Sequence, residues 1–535
     1  MIGTRIAHIV CARMKGRWPT GRIACAISLL LATALVAAGC AGRNGHRGDD
    51  QACELGHDVE GGHPEAALLE TVEAPRKKAW EAERGGEVAA RPFVRARMNG
   101  WPAVLHVDGA VLPGDAGEFA RRVARDTWRG LEALHDRENG LPVDHVHLDP
   151  ASTGVPEGRV GDYANVTNVG LRMLSIAAAN ELGYIDEAGA VGRITQLFDT
   201  LDGLEIHRGF FFNYYDTTSL ERTSNLLSFV DSSWLAAGLI VVRNRYAPLA
   251  ERATRLIQAM DYTLLYDPEL GQMTHGYFVQ RQQPSRYHYG MLYAESRLGS
   301  VIAIGEGEAP PQHWYHMLRT FHPSCTWQSR QPVGRKRKEA LGVEYFGGWY
   351  DWQGRRYVPS WGGSMFEALM PTLVLDEPRL VPGSLGANDA ANVAVQRGYA
   401  TQVLGYPVWG MSPSSIPGKQ DYGEYGVKVL GVIGYGPGAV TPHAAALALA
   451  VDPAAAIANL QELARRYPVY GDWGFYDAVD PGSGTVAYTY LTLDQSMSFV
   501  ALANHLTGHR IQQLFEADPI VRKALPVIAA EHFFD

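Results

Sequence analysis

The sequence predicts an all-α fold, an (α/α)6 toroid or barrel with long loops that form a cleft. Three observations carry that expectation. Apolar residues recur at helical period in about twelve segments between positions 115 and 505. The segments fall into neighbouring pairs, as helical hairpins do. Long Gly- and aromatic-rich stretches separate them, enough chain to gather at one end and build a cleft.

In chain order, a short β-type entry is expected near 93–112, followed by helices at 115–135, 167–182, 187–204, 232–246, 248–266 and 290–305. Further helices are expected at 311–320, 364–374, 387–403, 442–451, 453–466 and 493–505. Pro248, Pro311, Pro442 and Pro453 open their segments, and proline in a first turn is a start signal because its missing N–H has no helical partner there. The patterning runs without a break from 92 to 535, so one large domain is preferred to several.

Ahead of that domain the chain reads as two processing segments. Arg5, Arg13, Lys15, Arg17 and Arg22 precede an uncharged run, 23–38, that is short for a membrane span and ends in Leu35-Val-Ala-Ala-Gly39-Cys40. Small residues before Cys40 resemble the bacterial lipobox, so 1–39 is expected to be a lipoprotein signal peptide and Cys40 the lipidated residue. Residues 40–91, rich in Gly, His and charge, are expected to be a flexible tether. The expected location is exported and membrane-anchored, on the periplasmic or cell-surface side. Two further cysteines, Cys11 and Cys25, lie in the signal; Cys53 and Cys325 remain, enough for one disulfide and no Cys-rich metal site.

A net charge of -9 gives no electrostatic grip on polyphosphate, so nucleic acid is not an expected partner. The 25 Tyr and 12 Trp outnumber the 16 Phe, which favours rings with a polar edge, the kind that stack on sugar faces or fill a core while bonding at the rim.

The stretch Tyr289-Gly-Met-Leu-Tyr293-Ala-Glu295-Ser-Arg297-Leu-Gly-Ser-Val-Ile-Ala-Ile-Gly305, followed by His313-Trp314, anchors an ordered series of motifs. Upstream stand Asn165-Val-Thr167-Asn168-Val-Gly170, Phe212-Asn213-Tyr214-Tyr215-Asp216-Thr217 and Val230-Asp231-Ser232. Downstream come Trp361-Gly-Gly-Ser-Met-Phe-Glu367-Ala-Leu-Met-Pro371, Val408-Trp409-Gly410-Met411-Ser412, Thr441-Pro442-His443-Ala444, Gly474-Phe475-Tyr476-Asp477-Ala478 and Leu493-Asp494-Gln495-Ser496-Met497-Ser498. Together they resemble the glycoamylase-like domain family, which includes the transglycosylase domain of cyclic β-1,2-glucan synthases and bacterial β-1,2-glucanases. The resemblance covers roughly 126–534. It implies a glycoside hydrolase acting on an oligo- or polysaccharide, with β-1,2-glucan the substrate implied by the family and not by any residue, and no cofactor.

Glycosidic hydrolysis needs one carboxylic acid for the leaving oxygen and one carboxylate that activates water or attacks the anomeric carbon. Glu295 lies among Tyr287, Tyr289 and Tyr293, surroundings that desolvate a carboxyl and favour its protonated form, and it matches the acid the family implies. The bland alternative is a Glu295–Arg297 pair on a solvated helix face. The synthase pattern Trp-Gly-Ile-Ser-Glu-Ser carries a second Glu, its implied nucleophile, where this chain has Pro413. Hydrolytic relatives have Asp in the motif of Asp477, so the resemblance implies an inverting enzyme with Asp477 as the base, acting directly or through a substrate hydroxyl. Asp477 as a sugar ligand or a helix cap stays open.

Glu367 is a third catalytic candidate, or a buried partner of backbone N–H groups. Glu424 and Asp421 sit just past the missing Glu. Asp162, Asn168, Asp216, Asp231 and Asp494 stand before or at the start of helix candidates, where substrate binding and helix capping compete. Tyr214, Tyr215, Tyr289, Trp361, Trp409 and Phe475 are candidate substrate-binding aromatics, with core packing the alternative. No metal site is expected: His443 and His313 stand alone, without ligand spacing. A retaining transglycosylase or a glycosidase of another linkage, with Glu367 or Glu424 as nucleophile, and an inactive glycan-binding lipoprotein remain the competing functions.

Overall fold

The computed structural model describes residues 92–419 and 421–535; the expected signal peptide, Cys40 and the tether lie outside the described residues. No described helix is long and apolar enough to cross a membrane.

The helices divide by how their surfaces are covered. Every residue of Val166–Glu181 from Val166 to Ala179 is buried, and so is every residue of Arg297–Glu306 up to Gly305. Phe229–Arg245, Met365–Leu369, Pro442–Leu447 and Thr492–Thr507 are buried almost all round. Helices apolar on all sides belong inside a fold. Ala116–Ala133, by contrast, buries Phe119, Ala120, Val123, Ala124 and Trp128 while its other face carries charge.

The buried helices meet one another in chain order. Val166–Glu181 packs on Phe229–Arg245, which packs on Arg297–Glu306; Met365–Leu369 packs on Pro442–Leu447, which packs on Thr492–Thr507, and that helix returns to Val166–Glu181. Arg297 supplies the remaining link, its guanidinium donating to the carbonyls of Glu367 (3.3 Å) and Ala368 (2.6 Å). Close approach depends on missing side chains: a Cβ on Gly170 would lie 2.2 Å from the Trp234 carbonyl oxygen, and one on Gly238 would lie 2.5 Å from that of Gly170.

Each buried helix has a partner outside it: Glu187–Leu201, Ala250–Ala259, Pro519–Ala529, Leu385–Gly398, Pro453–Arg466 and Ala116–Ala133 pack on the six in turn. One of these was not anticipated. The helix expected at 311–320 is a single turn, His313–His316, and the partner of Arg297–Glu306 is Pro519–Ala529 near the end of the chain. Pro526 lies inside that helix, and an interior proline removes the ordinary mark of a helix in sequence. Arg510–Glu516 was also unforeseen.

The all-α expectation needs a second correction. The loops contain small antiparallel sheets, among them Tyr163–Asn165 with Tyr214–Asp216, Leu226–Ser228 with Gly276–Phe278, and His145–Leu148 with Thr489–Leu491. These two- to four-residue strands lie below the length at which alternation can be read. They run directly into buried helices and fix where those helices begin. The expected β entry near 93–112 is instead a helix, Pro92–Arg97, and a 3-10 turn, Gly109–Val111.

Candidate active site

The first turns of the buried helices carry the polar residues that the motifs singled out. Asn165 caps Val166–Glu181 by accepting from Thr167 N–H, and Ser228 caps Phe229–Arg245 by accepting from Asp231 N–H. The two caps are joined, because the Thr167 hydroxyl donates to Asp231 Oδ1 at 2.6 Å. Asp231 is therefore not itself the cap. Its carboxylate, partly exposed, lies within electrostatic reach of Glu295.

Glu295 stands in the turn before Arg297–Glu306, not inside a helix starting at 290 as expected. Two residues on, Arg297 is fully buried and donates to both oxygens of Glu377, at 2.8 and 2.7 Å, and to the Ala294 carbonyl. The solvated Glu295–Arg297 face is thus overturned: Arg297 holds the backbone on the near side of Glu295 and also the backbone of Glu367. The Glu295 carboxyl is partly exposed. Burial of its surroundings first, then the negative charge of Glu367, pushes its pKa up to about 7, into the range a general acid needs near neutrality.

The Glu367 carboxylate is engaged by its own loop. Its carboxylate accepts from Gly362 N–H (2.9 and 3.2 Å), Ser364 N–H (3.0 Å), the Ser364 hydroxyl (2.8 Å) and the Ser360 hydroxyl (3.1 Å). With the Ser364 cap it forms a reciprocal capping box. The catalytic assignment is corrected: Glu367 organises the Trp361-Gly-Gly-Ser turn and raises the proton affinity of Glu295. Gly363 takes φ of 80°, and a Cβ on Gly362 would fall 2.0 Å from the Tyr435 ring, so this turn requires both glycines. Tyr435 in turn lies within electrostatic reach of Glu295, Glu367 and Glu424.

A second carboxyl centre is built from Asp477, Asp494 and His443. Asp477 is buried and accepts from Ser415 N–H at 2.6 Å; Ser414–Ser415, directly after Pro413, pairs with Tyr422–Gly423. Asp494, in the first turn of Thr492–Thr507, does not cap that helix. Its carboxyl stands beside that of Asp477, and its Oδ2 lies 2.8 Å from His443 Nδ1. Burial and then Asp494 push Asp477 well above the usual carboxylate range; burial pushes Asp494 up to about 7 and His443 down to about 4. His443 therefore does not stand alone. The three residues offer one ligand atom each within 4.8 Å of one another, so among the described residues this is a set that could hold a metal ion. Thr441-Pro442-His443 and Leu493-Asp494 lie some fifty residues apart, beyond any ligand spacing that a local motif reveals. His313, in contrast, is a satisfied core histidine between the Ser300 hydroxyl and the Gly271 carbonyl.

Asp144 also acts on Asp494, and Asp494, Asp477, Asp144 and Tyr214 act on Tyr422. None of Asp144, Tyr422 or Tyr435 was singled out by sequence. The flanking glycines of Gly434-Tyr435-Gly436 were the available signal for the last.

The remaining candidates separate into open and structural positions. Tyr214, Tyr289 and Trp361 are partly exposed, edge-on to Tyr163, packed on His275 and Phe229, and beside Trp327 respectively. Glu424 is exposed, while Asp162 and Asn168 are buried. Asp216 is fully buried and accepts from Thr218 and Ser219 N–H, tying a turn in place of a sugar. Trp409, Phe475 and Tyr215 belong to the core. The Trp409 backbone is pinned to Asn459, the Phe475 ring stands edge-on to Tyr470, and the Tyr215 hydroxyl donates to the Glu205 carbonyl. Gly and polar flanks do not free an aromatic face when tertiary packing covers it.

The fold is shared with known proteins. Residues 330–519 match the model of the Glycoamylase family, described as "Putative glucoamylase". The chain is 25% identical to the cyclic β-(1,2)-glucan synthase NdvB of Rhizobium meliloti over 79% of its own length, and spans about a fifth, 19%, of the synthase. Its fold matches the endo-β-1,2-glucanase of Chitinophaga pinensis, solved with sophorotriose and glucose (TM-score 0.59, 17% identity, 78% of this chain and 98% of that one). It also matches the β-1,2-glucanase of Parabacteroides distasonis (TM-score 0.63, 16% identity, 78% of this chain and 61% of that one).

Proposed function

We propose that this protein is a glycoside hydrolase acting on a bacterial β-1,2-glucan, with Glu295 as general acid, Asp477 on the proton-accepting side, and inversion at the anomeric carbon. The observation that carries the reading is Glu295 itself: a partly exposed carboxyl, raised to about 7, facing Glu367 and Asp231. The substrate comes from similarity to the synthase and the two glucanases. Hydrolysis by inversion is favoured because Pro413 occupies the position of the synthase's implied nucleophile, and Glu367 is saturated by its own loop. The six buried helices and their six outer partners are read as an (α/α)6 toroid, with Tyr214, Tyr289 and Trp361 as sugar-stacking rings at its mouth. Residues 92–535 form the catalytic domain, preceded by a lipoprotein signal, Cys40 as the lipid anchor and a tether that holds the domain on the exported side of a membrane.

In the proposed reaction Glu295 gives its proton to the leaving oxygen as the anomeric C–O bond breaks, and water attacks from the opposite face. The test is to incubate the purified protein with linear and cyclic glucans of several linkages and follow the first-formed anomer by proton NMR. Inverted product from β-1,2-glucan, abolished in Glu295→Gln, is expected; product of retained configuration, or cleavage unaffected by that substitution, defeats the assignment.

A further inference from the structure

Three of the deeply buried acids in this fold are neutralised by arginine: Glu377 by Arg297, Glu531 by Arg319 and Asp518 by Arg243. Asp477 and Asp494, each 2% exposed, are not, and among the described residues no Lys or Arg pairs with either. His443, covered to the same extent, completes the group. Its Nδ1 is 2.8 Å from Asp494 Oδ2, and the three side chains place one donor atom each within 4.8 Å of one another. None of the three atoms His443 Nδ1, Asp477 Oδ1 and Asp494 Oδ2 makes a hydrogen bond among the described residues. Buried polar atoms are rarely left unbonded, and three gathered at one point call for a shared partner.

The surroundings hold these atoms in place from behind. Asp477 Oδ2 accepts from Ser415 N–H at 2.6 Å, and the Asp477 N–H donates to the Thr489 carbonyl at 3.0 Å. His443 Nε2 faces the Thr441 hydroxyl at 3.5 Å, which leaves Nδ1 as the ring atom turned to the acids. Backing of this kind orients metal-binding side chains. Beside the three residues lies a cavity of about 10 Å³, walled also by Val123, Ala446, Leu460 and Leu502, which is room for about one water molecule. Bonds of roughly 2.0–2.2 Å from one ion to nitrogen and oxygen donors set those donors roughly 3–4 Å apart, the scale of this group.

We infer that His443, Asp477 and Asp494 bind one divalent transition-metal ion of the zinc type, with a water in the cavity as a further ligand. The inference goes beyond the hydrolase reading and stands without it. Two carboxylates and a neutral imidazole around a doubly charged cation sum to zero, so the ion supplies the positive charge that arginine supplies to the other buried acids. Imidazole together with carboxylate favours zinc and its neighbours over calcium or magnesium, which take about six or more oxygens. Bound there, the ion ties Pro442–Leu447 and Thr492–Thr507 to the turn between Gly474–Phe475 and Ala478–Val479. Asp477 Oδ2 keeps a second lone pair beyond the Ser415 bond, so the site is compatible with Asp477 standing on the proton-accepting side.

The test is metal binding by the purified full chain. The protein is stripped with a chelator, dialysed and titrated with zinc, manganese, calcium and magnesium salts, with bound metal counted by mass spectrometry and thermal midpoints recorded. One zinc per chain is expected, with a thermal midpoint several degrees above that of the stripped protein. X-ray absorption of the zinc-loaded wild type should show one imidazole nitrogen with oxygens at roughly 2.0–2.2 Å. His443→Asn and Asp494→Asn should weaken zinc binding by about a hundredfold or more, and Thr441→Val, which removes only the hydroxyl behind the ring, by about tenfold. Zinc held at wild-type affinity by both His443→Asn and Asp494→Asn overturns the site and places the ion elsewhere, His46, His57 and His63 included. A wild-type spectrum with two or more imidazoles, or no zinc bound at micromolar concentration, overturns it even where the variants fail to fold. Calcium or magnesium bound in preference to zinc does the same. Absence of glucan cleavage by the zinc-loaded wild type defeats the hydrolase reading and leaves the ion site standing.

Discussion

The two carboxyl centres of this molecule hold protons for different reasons. Glu295 is partly open, stands in a turn, and is raised by a desolvated setting together with the fixed charge of Glu367. Asp477 and Asp494 are closed off, lie side by side, and are raised chiefly by burial. An open carboxyl near neutrality can exchange its proton with a ligand, whereas a buried one is cut off from direct contact with it. The comparison therefore separates a carboxyl with access to the surface from a pair enclosed by the fold. The supporting structures differ in the same way. Arg297 anchors the Glu295 turn through a buried ion pair and three carbonyls, while the Asp pair depends on a backbone N–H and a histidine.

The largest expected effect sharpens the open side. Glu295→Gln should lower kcat on β-1,2-glucan by about 10²- to 10⁴-fold with little change in KM or thermal midpoint, read from reducing ends and a melting curve. A comparable loss of folding stability would show that Glu295 is structural and erase the contrast.

Next comes the scaffold. Arg297→Met leaves Glu377 buried without its cation and should cost about 3–5 kcal/mol of stability, measured by denaturant unfolding. Asp389 and Tyr293 complete this buried cluster, the Tyr293 hydroxyl donating to Asp389 at 2.7 Å. A neutral outcome would show that the Arg297–Glu377 pair does not hold this part of the core together.

A smaller effect tests the pKa of Glu295 through folding. A carboxyl with a folded value near 7 against 4.5 unfolded binds protons more tightly in the native state. Its stabilising contribution is complete below about 4.5 and is lost as pH rises toward 7. His443 works in the opposite sense, since its depressed value makes acid unfavourable to the fold. The difference between wild type and Glu295→Gln isolates the first: the variant should lose less stability between pH 4.5 and 7. Equal slopes would place Glu295 at an ordinary carboxylate value.

The smallest effects distinguish an open ring from a core ring. Trp361→Ala should weaken substrate binding by about 0.5–1.5 kcal/mol, seen as a several-fold rise in KM at nearly constant kcat and stability. Trp409→Ala should instead unfold more readily, because it opens a cavity in the core. Interchange of the two phenotypes would reverse their assignment.

Much of this was legible before any coordinates. Periodicity located the helices from 115 to 505 because burying an apolar face forces that spacing locally, and Glu295 stood out because a carboxyl among tyrosines is a local pattern. The last outer helix escaped notice because Pro526 interrupts the signal. Trp409 and Phe475 were misjudged because flanking glycines describe the backbone and not what packs on the ring. By itself the sequence located most of the helices, singled out Glu295 as the acid candidate and showed Pro413 where the resemblance implies a nucleophile. Only the tertiary structure decided that Glu367 is spent on its own loop, that Arg297 is buried, and that His443 meets Asp494 and Asp477. Burial and hydrogen bonding of this kind depend on groups brought together from distant segments, and no local spacing encodes that meeting.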